Sequence, residues 1–300
     1  MTRIGIEIGG TKQQIVVGDA EGRIIDRCRF TVDPAGGSSV IRDRMAEELP
    51  PILAEHHPER IGVGFGGPVD IAAGTVAVSH QIEGWSGFPL RDWLHELTEL
   101  PVVIENDANT AALGEALRGA GRGFNPAFYM NMGSGVGGGL VIEGKIYHGD
   151  KPGEVEVGHL RIDLDGNTVE DRCSGWAVDR TIRAAFGNHP DSLLASLCGD
   201  TPGGEAKHLT EALAQGDSLA QDILTTVTRD LAFALSHVTH LFHPQVITLG
   251  GGLSLIGVPL RKSIEEQLPG FLMEIYGNGP PIKLAELGED AVPVGALLLE

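Results

Sequence analysis

The chain opens with an alternation of apolar and polar positions that glycine interrupts. Residues 4–8 alternate, residues 9–12 read Gly-Gly-Thr-Lys, and an apolar run at residues 15–17 leads to a turn at residues 19–22. A period of two that is broken by turn residues is typical of strands joined in hairpins. The N-terminal segment is therefore predicted to form a strand, a glycine turn, a second strand, a turn and a third strand.

The same pattern returns 124 residues later, counted from Gly9 to Gly133. Residues 128–132 form an apolar run, glycine dominates residues 133–139, and residues 140–142 resume the strand pattern. A plan that recurs at a fixed distance indicates an internal duplication. The sequence thus predicts two similar α/β halves.

Helical periodicity separates further strands in both halves. Apolar residues recur at mostly three- and four-residue steps over residues 217–242, as an amphipathic helix requires. The other predicted helices are 40–56 and 107–119, and the further predicted strands are 60–66, 101–104 and 246–249.

Composition narrows the class of protein. The chain has 41 Asp and Glu against 22 Lys and Arg, whereas a general nucleic-acid binder needs a basic surface. Cys28, Cys173 and Cys198 are widely spaced, which is typical of free thiols in a reducing compartment. No apolar window approaches about 18 residues, and the N-terminus lacks a signal-peptide core. We therefore expect a cytoplasmic protein that binds neither nucleic acid nor membrane.

Glycine is the compositional excess, with 43 of 300 residues, about twice the usual share of roughly 7%. Two clusters, from Gly62 and from Gly133, match the spacing G-x-G-x-x-G. A dinucleotide site also requires a helix that opens on the last glycine, but Pro68 follows the first cluster and a strand pattern follows the second. Neither cluster therefore predicts NAD binding.

A glycine turn between strands can instead hold a phosphate, because adjacent backbone N–H groups without Cβ atoms in the way converge on one oxygen. An ordinary hairpin turn explains any single cluster equally well, but three clusters together favour a bound nucleotide. The candidate turns are Gly9, Gly10 and Thr11; Gly133, Ser134 and Gly135; and Gly250, Gly251 and Gly252.

Seven motifs in order resemble the ROK family of sugar kinases, which shares a superfamily with actin and the Hsp70 ATPase domain. The motifs occupy residues 6–12, 66–70, 105–109, 133–139, 156–159, 244–252 and 295–296. The resemblance covers nearly the whole chain and implies an α/β fold of two duplicated actin-like, ribonuclease H-like domains with ATP and sugar in the cleft between them. On this basis we expect an N-terminal domain at 1–117, a C-terminal domain at 118–288, and a C-terminal helix at about 289–300 that packs back on the first domain. The resemblance also implies a homodimer.

Asp107 is the candidate general base for phosphoryl transfer, which needs a positioned hydroxyl and a group that accepts its proton. It follows an apolar run and precedes a predicted helix, whose N-terminus favours the ionised carboxylate, although an ordinary N-cap would occupy the same position. The resemblance implies the catalytic role. It also implies sugar contacts from Gly67, Asn106, Glu156, His159 and Glu170, side chains and backbone suited to hydroxyls that both donate and accept.

Two departures from the family pattern concern metals. Relatives commonly carry a cysteine-rich loop that binds structural zinc together with the histidine, whereas residues 163–172 of this chain contain no cysteine. Without thiolates we expect no structural zinc, so His159 needs another partner, such as a backbone carbonyl or a carboxylate within 163–171. His237, His240 and His243 also recur at three-residue steps, but no carboxylate or cysteine flanks them.

The second departure is Glu7, which stands where the commonest family pattern has Asp. Its carboxylate would orient Mg²⁺ or the water molecules around it. Lys12 would either face the phosphates or cover the edge of the hairpin.

The expected function is ATP-dependent phosphorylation of a hexose, with glucose ahead of fructose, mannose and N-acetylated hexosamines such as N-acetylmannosamine. Two other classes are a ROK transcriptional regulator and a non-catalytic sugar-binding protein. The first strand begins near Arg3, without the helix-turn-helix that repressors of the family carry, and the chain is acidic. Retention of Asp107 and of the glycine turns argues against a non-catalytic protein.

Overall fold

A computed structural model describes residues 1–10, 12–32, 36–79 and 82–300 of the chain. The strands are β1 (Thr2–Ile8), β2 (Lys12–Asp19), β3 (Ile24–Thr31), β4 (Ile61–Phe65), β5 (Val69–Asp70), β6 (Thr75–Val76), β7 (Val102–Asn106), β8 (Ala127–Met132), β9 (Val136–Ile142), β10 (Lys145–Ile146), β11 (Val246–Gly250) and β12 (Ile282–Leu284). The α-helices are α1 (Gly37–His56), α2 (Leu90–Thr98), α3 (Asp107–Arg118), α4 (Val169–Cys173), α5 (Gly175–Ala185), α6 (Leu193–Cys198), α7 (Leu209–Ala214), α8 (Ser218–Phe242), α9 (Val258–Gln267) and α10 (Ala291–Leu298).

Two five-stranded sheets share one strand order, β3-β2-β1-β4-β7 in the first and β10-β9-β8-β11-β12 in the second. In the first sheet β2 is antiparallel to β1, and β4 and β7 continue in parallel with β1. In the second sheet β11 and β12 likewise run parallel to β8. The predicted duplication is therefore present in the topology, and each G-x-G-x-x-G segment runs into a strand rather than a helix.

The chain divides into two units. The first comprises Met1–Arg122, Gly139–Glu154 and Glu289–Glu300, and the second comprises Gly123–Gly138 and Val155–Gly288. The segment Gly139–Glu154 belongs to the first unit, whereas the sequence analysis places it in the C-terminal domain. A methyl group at Gly139 would lie 2.5 Å from the Cβ atom of Ala112 in α3, so the missing side chain lets this segment pack on the first unit.

Glycine lets α10 pack closely on the first unit. A methyl group at Gly62 in β4 would lie 1.9 Å from the carbonyl oxygen of Ala296, and one at Gly295 would lie 1.8 Å from the carbonyl oxygen of Thr110 in α3. The helix therefore packs with its backbone against both a strand and a helix. Part of the glycine excess serves this packing rather than phosphate turns.

The first unit has a continuous apolar core around its sheet. Trp85 is fully buried and makes edge-to-face contacts with Phe65 and Phe88, whose ring centroids lie 5.4 and 5.3 Å away. Cys28, Cys173 and Cys198 carry free thiols, as the sequence predicted. Among the helices that the structure describes, none combines the length and the apolar character needed to cross a bilayer.

Candidate functional site

Three parallel strands of the first unit end side by side. Ile8 of β1 pairs with Phe65 of β4, and Phe65 pairs with Asn106 of β7. Because parallel strands bring their carboxyl ends to one edge of the sheet, the residues that follow them gather there. A methyl group at Gly66 would lie 3.5 Å from Oδ2 of Asp107 and 3.5 Å from the Cα atom of Gly9.

The sequence left open whether Asp107 is a general base or only the N-cap of α3. The side-chain oxygen of Asn106 accepts hydrogen bonds from the backbone N–H groups of Ala108 and Asn109, so Asn106 is the N-cap of α3. Its Nδ2 donates to the carbonyl oxygen of Gly67 at 3.2 Å. Asp107 is the first residue of the helix and is half-buried, next to backbone N–H groups that favour a carboxylate. Its role as a base stays a prediction.

Glu7 and Lys12 lie next to the first glycine turn and contact each other. The backbone N–H of Gly9 donates to the carbonyl oxygen of Lys12 at 3.0 Å and closes the turn around Gly10, whereas Thr11 lies outside the described residues. The Nζ atom of Lys12 is 3.6 Å from the carboxylate of Glu7, which also accepts a short hydrogen bond from Gln14. Burial raises the pKa of the Glu7 carboxyl, and these two partners offset the increase only in part.

The second glycine turn is closed by Gly133, whose backbone N–H donates to the carbonyl oxygen of Gly135 at 2.9 Å. The carboxylate of Glu170 in α4 accepts a hydrogen bond from the backbone N–H of Val136 at 2.8 Å. Ser134 is exposed at the tip of the turn. The structure therefore connects Glu170 to the turn, and the sugar contact that the resemblance implies for this residue stays a prediction.

The third cluster follows β11. A methyl group at Gly250 would lie 2.1 Å from the hydroxyl of Tyr129, and one at Gly251 would lie 2.5 Å from the backbone of Met132. Apart from its two chain neighbours, no residue that the structure describes has an atom within 4 Å of the position where a Cβ atom of Gly252 would stand. Gly250 and Gly251 thus serve the packing of the second sheet, whereas Gly252 has open space around it.

Glu156 precedes a single 3₁₀ turn of the second unit, Val157–His159, and His159 is its last residue. Glu156 is half-buried and His159 is exposed. Within the described residues the imidazole of His159 makes no hydrogen bond or ion pair, so the partner expected from residues 163–171 is not found there. That segment is held instead by its own hydrogen bonds, including Ile162 N–H to Asn167 at 2.8 Å and a capping box at Thr168. The absence of structural zinc stays a prediction.

The three histidines that recur at three-residue steps near the end of α8 lie against aromatic rings. The ring of His237 lies 4.7 Å from that of Phe233, and His240 and His243 lie 5.3 and 5.0 Å from the ring of Tyr276. The three-residue spacing is therefore explained by the packing of the imidazole rings against aromatic side chains at the end of α8.

Sequence reasoning assigned no role to a polar cluster of the first unit, formed by Glu105, Asn109, His148 and Glu154. Glu105 is buried directly before Asn106, and its Oε2 lies 2.7 Å from Nε2 of His148. Glu154 accepts a hydrogen bond from Asn109 at 2.8 Å. The sequence signal that could have found this cluster is the carboxylate of Glu105 directly after the apolar run Val102–Ile104, because a buried charge needs a partner.

Known proteins similar to this chain include curated relatives and a solved structure. The chain is 32% identical over 306 residues to the glucokinase of Halalkalibacterium halodurans, covering 97% of the chain and 92% of the relative. It is 32% identical to the glucokinase of Thermotoga maritima, covering 98% and 95%. The crystal structure of a ROK family glucokinase from Streptomyces griseus with glucose and AMPPNP superposes with a TM-score of 0.85 at 32% identity, covering 99% of this chain and 98% of that one.

These similarities confirm the α/β fold with two actin-like domains that the motifs predicted. The family model itself extends across residues 3–300. With a match over nearly its whole length, the chain belongs to the ROK family.

Proposed function

We propose that this protein is an ATP-dependent glucokinase that transfers the γ-phosphoryl group of ATP to a hydroxyl of glucose. The observation that carries the proposal is the strand edge of the first unit, where Asp107 lies beside Gly66 and Asn106 is bonded to Gly67. Glucokinase relatives at 32% identity over almost the full chain favour glucose over fructose or N-acetylmannosamine.

Asp107 accepts the proton of the attacking hydroxyl. The hydroxyl oxygen forms a bond to the γ-phosphorus, the bond from that phosphorus to the β,γ-bridging oxygen breaks, and ADP leaves with the electron pair. The helix N-terminus at Asp107 would stabilise negative charge on its carboxylate. Asn106, Gly67, Glu156, His159 and Glu170 would orient the sugar, and the N-cap bonds fix the Asn106 side chain in place.

The nucleotide phosphates would be held mainly by backbone N–H groups of the three glycine turns. This suits a chain with a formal charge of −19, since such turns bind anions without adding basic side chains. The carboxylate of Glu7 is a hard oxygen donor beside the first turn and fits Mg²⁺ or its water molecules. When bound, Mg²⁺ would neutralise charge on the phosphate oxygens.

The ion pair with Glu7 supports a place for Lys12 at the phosphate turn rather than a role as cover for the hairpin edge, because its ammonium lies 3.6 Å from the Glu7 carboxylate. We further propose that the protein is cytoplasmic and forms a homodimer. Light scattering of the purified chain measures the oligomeric state directly.

The test is coupled ADP release with MgATP across glucose, fructose, mannose, N-acetylmannosamine and N-acetylglucosamine. We expect glucose to give the highest kcat/KM and EDTA to abolish turnover. A different sugar with the highest kcat/KM would contradict the glucose assignment and leave the kinase assignment intact. Absence of ADP release with every sugar would contradict both.

A further inference from the structure

Glu105 is a buried carboxylate at the end of β7, directly before the two residues proposed to work on the sugar. Only 3% of its surface is exposed. Its Oε1 accepts hydrogen bonds from the backbone N–H of Asn106 at 2.8 Å and from Nδ2 of Asn109 at 3.1 Å. Glu105 therefore holds the backbone N–H of Asn106, one residue before Asp107, and also holds Asn109 in the first turn of α3.

The other oxygen of Glu105 bonds to a residue far away in sequence. Oε2 lies 2.7 Å from Nε2 of His148, which follows β10, and Glu154 of the same segment bonds to Asn109 at 2.8 Å. One nitrogen or oxygen atom from each of Glu105, His148 and Glu154 lies within 4.8 Å of the others. The segment after β10 is thus connected to the start of α3 through side-chain hydrogen bonds.

Charge favours the imidazolium form of His148. Its hydrogen bond to Glu105 raises the pKa of His148, burial opposes the increase, and the charges of Glu105 and Glu154 add to it. The cavity beside it, about 310 Å³ in volume, is also lined by Asp70, Asp150 and Lys151. Carboxylates therefore outnumber cations around the imidazole, although 43% of its side chain is exposed.

On the basis of the proposed function, we propose that His148 is a positioning residue for phosphoryl transfer: its imidazolium holds Glu105, and Glu105 holds the backbone N–H of Asn106, one residue before Asp107. His148 does not touch the reacting atoms in this scheme. It fixes the carboxylate that in turn fixes the base.

The pH dependence follows from the sign of the charge. A histidine whose pKa is raised carries its positive charge at lower pH and loses it as pH rises through that pKa. Above that pH, Glu105 and Glu154 face each other without a compensating cation, and Glu105 is held less firmly. The kcat of the wild-type enzyme is therefore expected to fall on the alkaline side.

The experiment measures kcat and both KM values against pH for the wild type, His148→Gln and His148→Arg. Glutamine keeps a hydrogen-bond donor without the charge, whereas arginine carries the charge at every accessible pH. We expect His148→Gln to lower kcat about tenfold, within the roughly hundredfold cost of a misplacement by about 1 Å, with no alkaline inflection. His148→Arg should keep more than half of the activity and also lack the inflection. The KM for MgATP should change less than twofold in both variants.

His56→Gln is the matched control. His56 is the last residue of α1 and lies outside the proposed site, and its Nε2 atom is 3.2 Å from Oδ2 of Asp26. It should leave the pH profile and kcat as in the wild type. An alkaline inflection that persists in both His148 variants would overturn the proposal while the kinase function stands. A wild type that phosphorylates no sugar would overturn both.

An NMR titration of the His148 imidazole gives a readout that does not depend on activity. We expect its pKa to lie above that of a free imidazole and to drop in Glu154→Gln, which leaves Glu105 in place. A His148 that titrates at or below the free value would overturn the proposal even if the His148 variants failed to fold.

Discussion

The two sheets have the same strand order but carry different chemistry where their strands end. In the first sheet β7 leads into Asn106 and Asp107 at the start of α3, whereas the equivalent β12 of the second sheet ends at Leu284 and is followed by Ala285. The equivalent strands β4 and β11 are both followed by glycines. The duplicated fold thus gives both sheets the same kind of strand edge. The residues that follow the strands decide which edge has a carboxylate that could act as a base.

The glycine turns after β1 and β8 also differ in the polar side chains beside them. The turn after β1 has an ion pair beside it, between Glu7 and Lys12, whereas the turn after β8 is supported by the carboxylate of Glu170 on a backbone N–H. In the first turn the carboxylate has a cationic partner. In the second turn the carboxylate has no cationic partner among the described residues and instead accepts a hydrogen bond from the backbone N–H of Val136.

The largest expected effect tests whether the base belongs to the first sheet alone. Asp107→Asn removes the proton acceptor and should lower kcat about 10²- to 10⁴-fold, the usual share of general base catalysis. Glu286→Gln, the carboxylate nearest the end of β12, is the control and should change kcat less than about twofold. Comparable losses in steady-state assays of the two variants would contradict this division of labour.

The second effect concerns packing that is particular to the first unit. Gly62→Ala would place a methyl group 1.9 Å from the backbone oxygen of Ala296 in α10, and backbone has no rotamer to which it can move. We expect a loss of about 3 kcal/mol in the free energy of unfolding, the upper range for overpacking. Urea denaturation measures it.

Gly270→Ala is the control for that substitution, because nothing lies within 4 Å of the added methyl group. It should change the unfolding free energy by no more than about 0.5 kcal/mol. Equal values for Gly62→Ala and Gly270→Ala would mean that α10 does not pack as closely as described.

The third effect separates the two roles of Glu170. If its carboxylate supports the second turn, Glu170→Ala should raise the KM for MgATP about tenfold, because a hydrogen bond to a charged group contributes about 1.5–3 kcal/mol. Glu170→Gln keeps an accepting oxygen and should show a smaller increase. A rise in the KM for the sugar with an unchanged KM for MgATP would favour the sugar contact instead.

The smallest effect probes the tip of the second turn. Ser134→Ala should raise the KM for MgATP about fivefold, because a neutral hydrogen bond contributes about 1 kcal/mol. Ser218→Ala, an exposed serine of the same unit at the start of α8, should leave that KM unchanged. An identical KM for both variants would exclude a contact between the Ser134 hydroxyl and the nucleotide.

Several elements could be predicted because their signals are local. The long helix expected at 217–242 is Ser218–Phe242, and the strand expected at 60–66 is Ile61–Phe65. Periodicity and glycine turns depend only on neighbours in sequence. The place of Gly139–Glu154 could not be read from local signals because it depends on contacts with α3. The polar cluster was missed because His148 and Glu154 lie 43 and 49 residues after Glu105.

The sequence by itself determined the duplicated plan, the family resemblance and the candidate base, since each is written in short motifs whose order is preserved. Only the tertiary structure decided that Asn106 caps α3 beside Asp107, that Glu170 bonds to the second turn, and that His148 reaches Glu105. Side-chain hydrogen bonds depend on which atoms lie within about 3 Å, and that distance is set by the packing of segments that are remote in sequence.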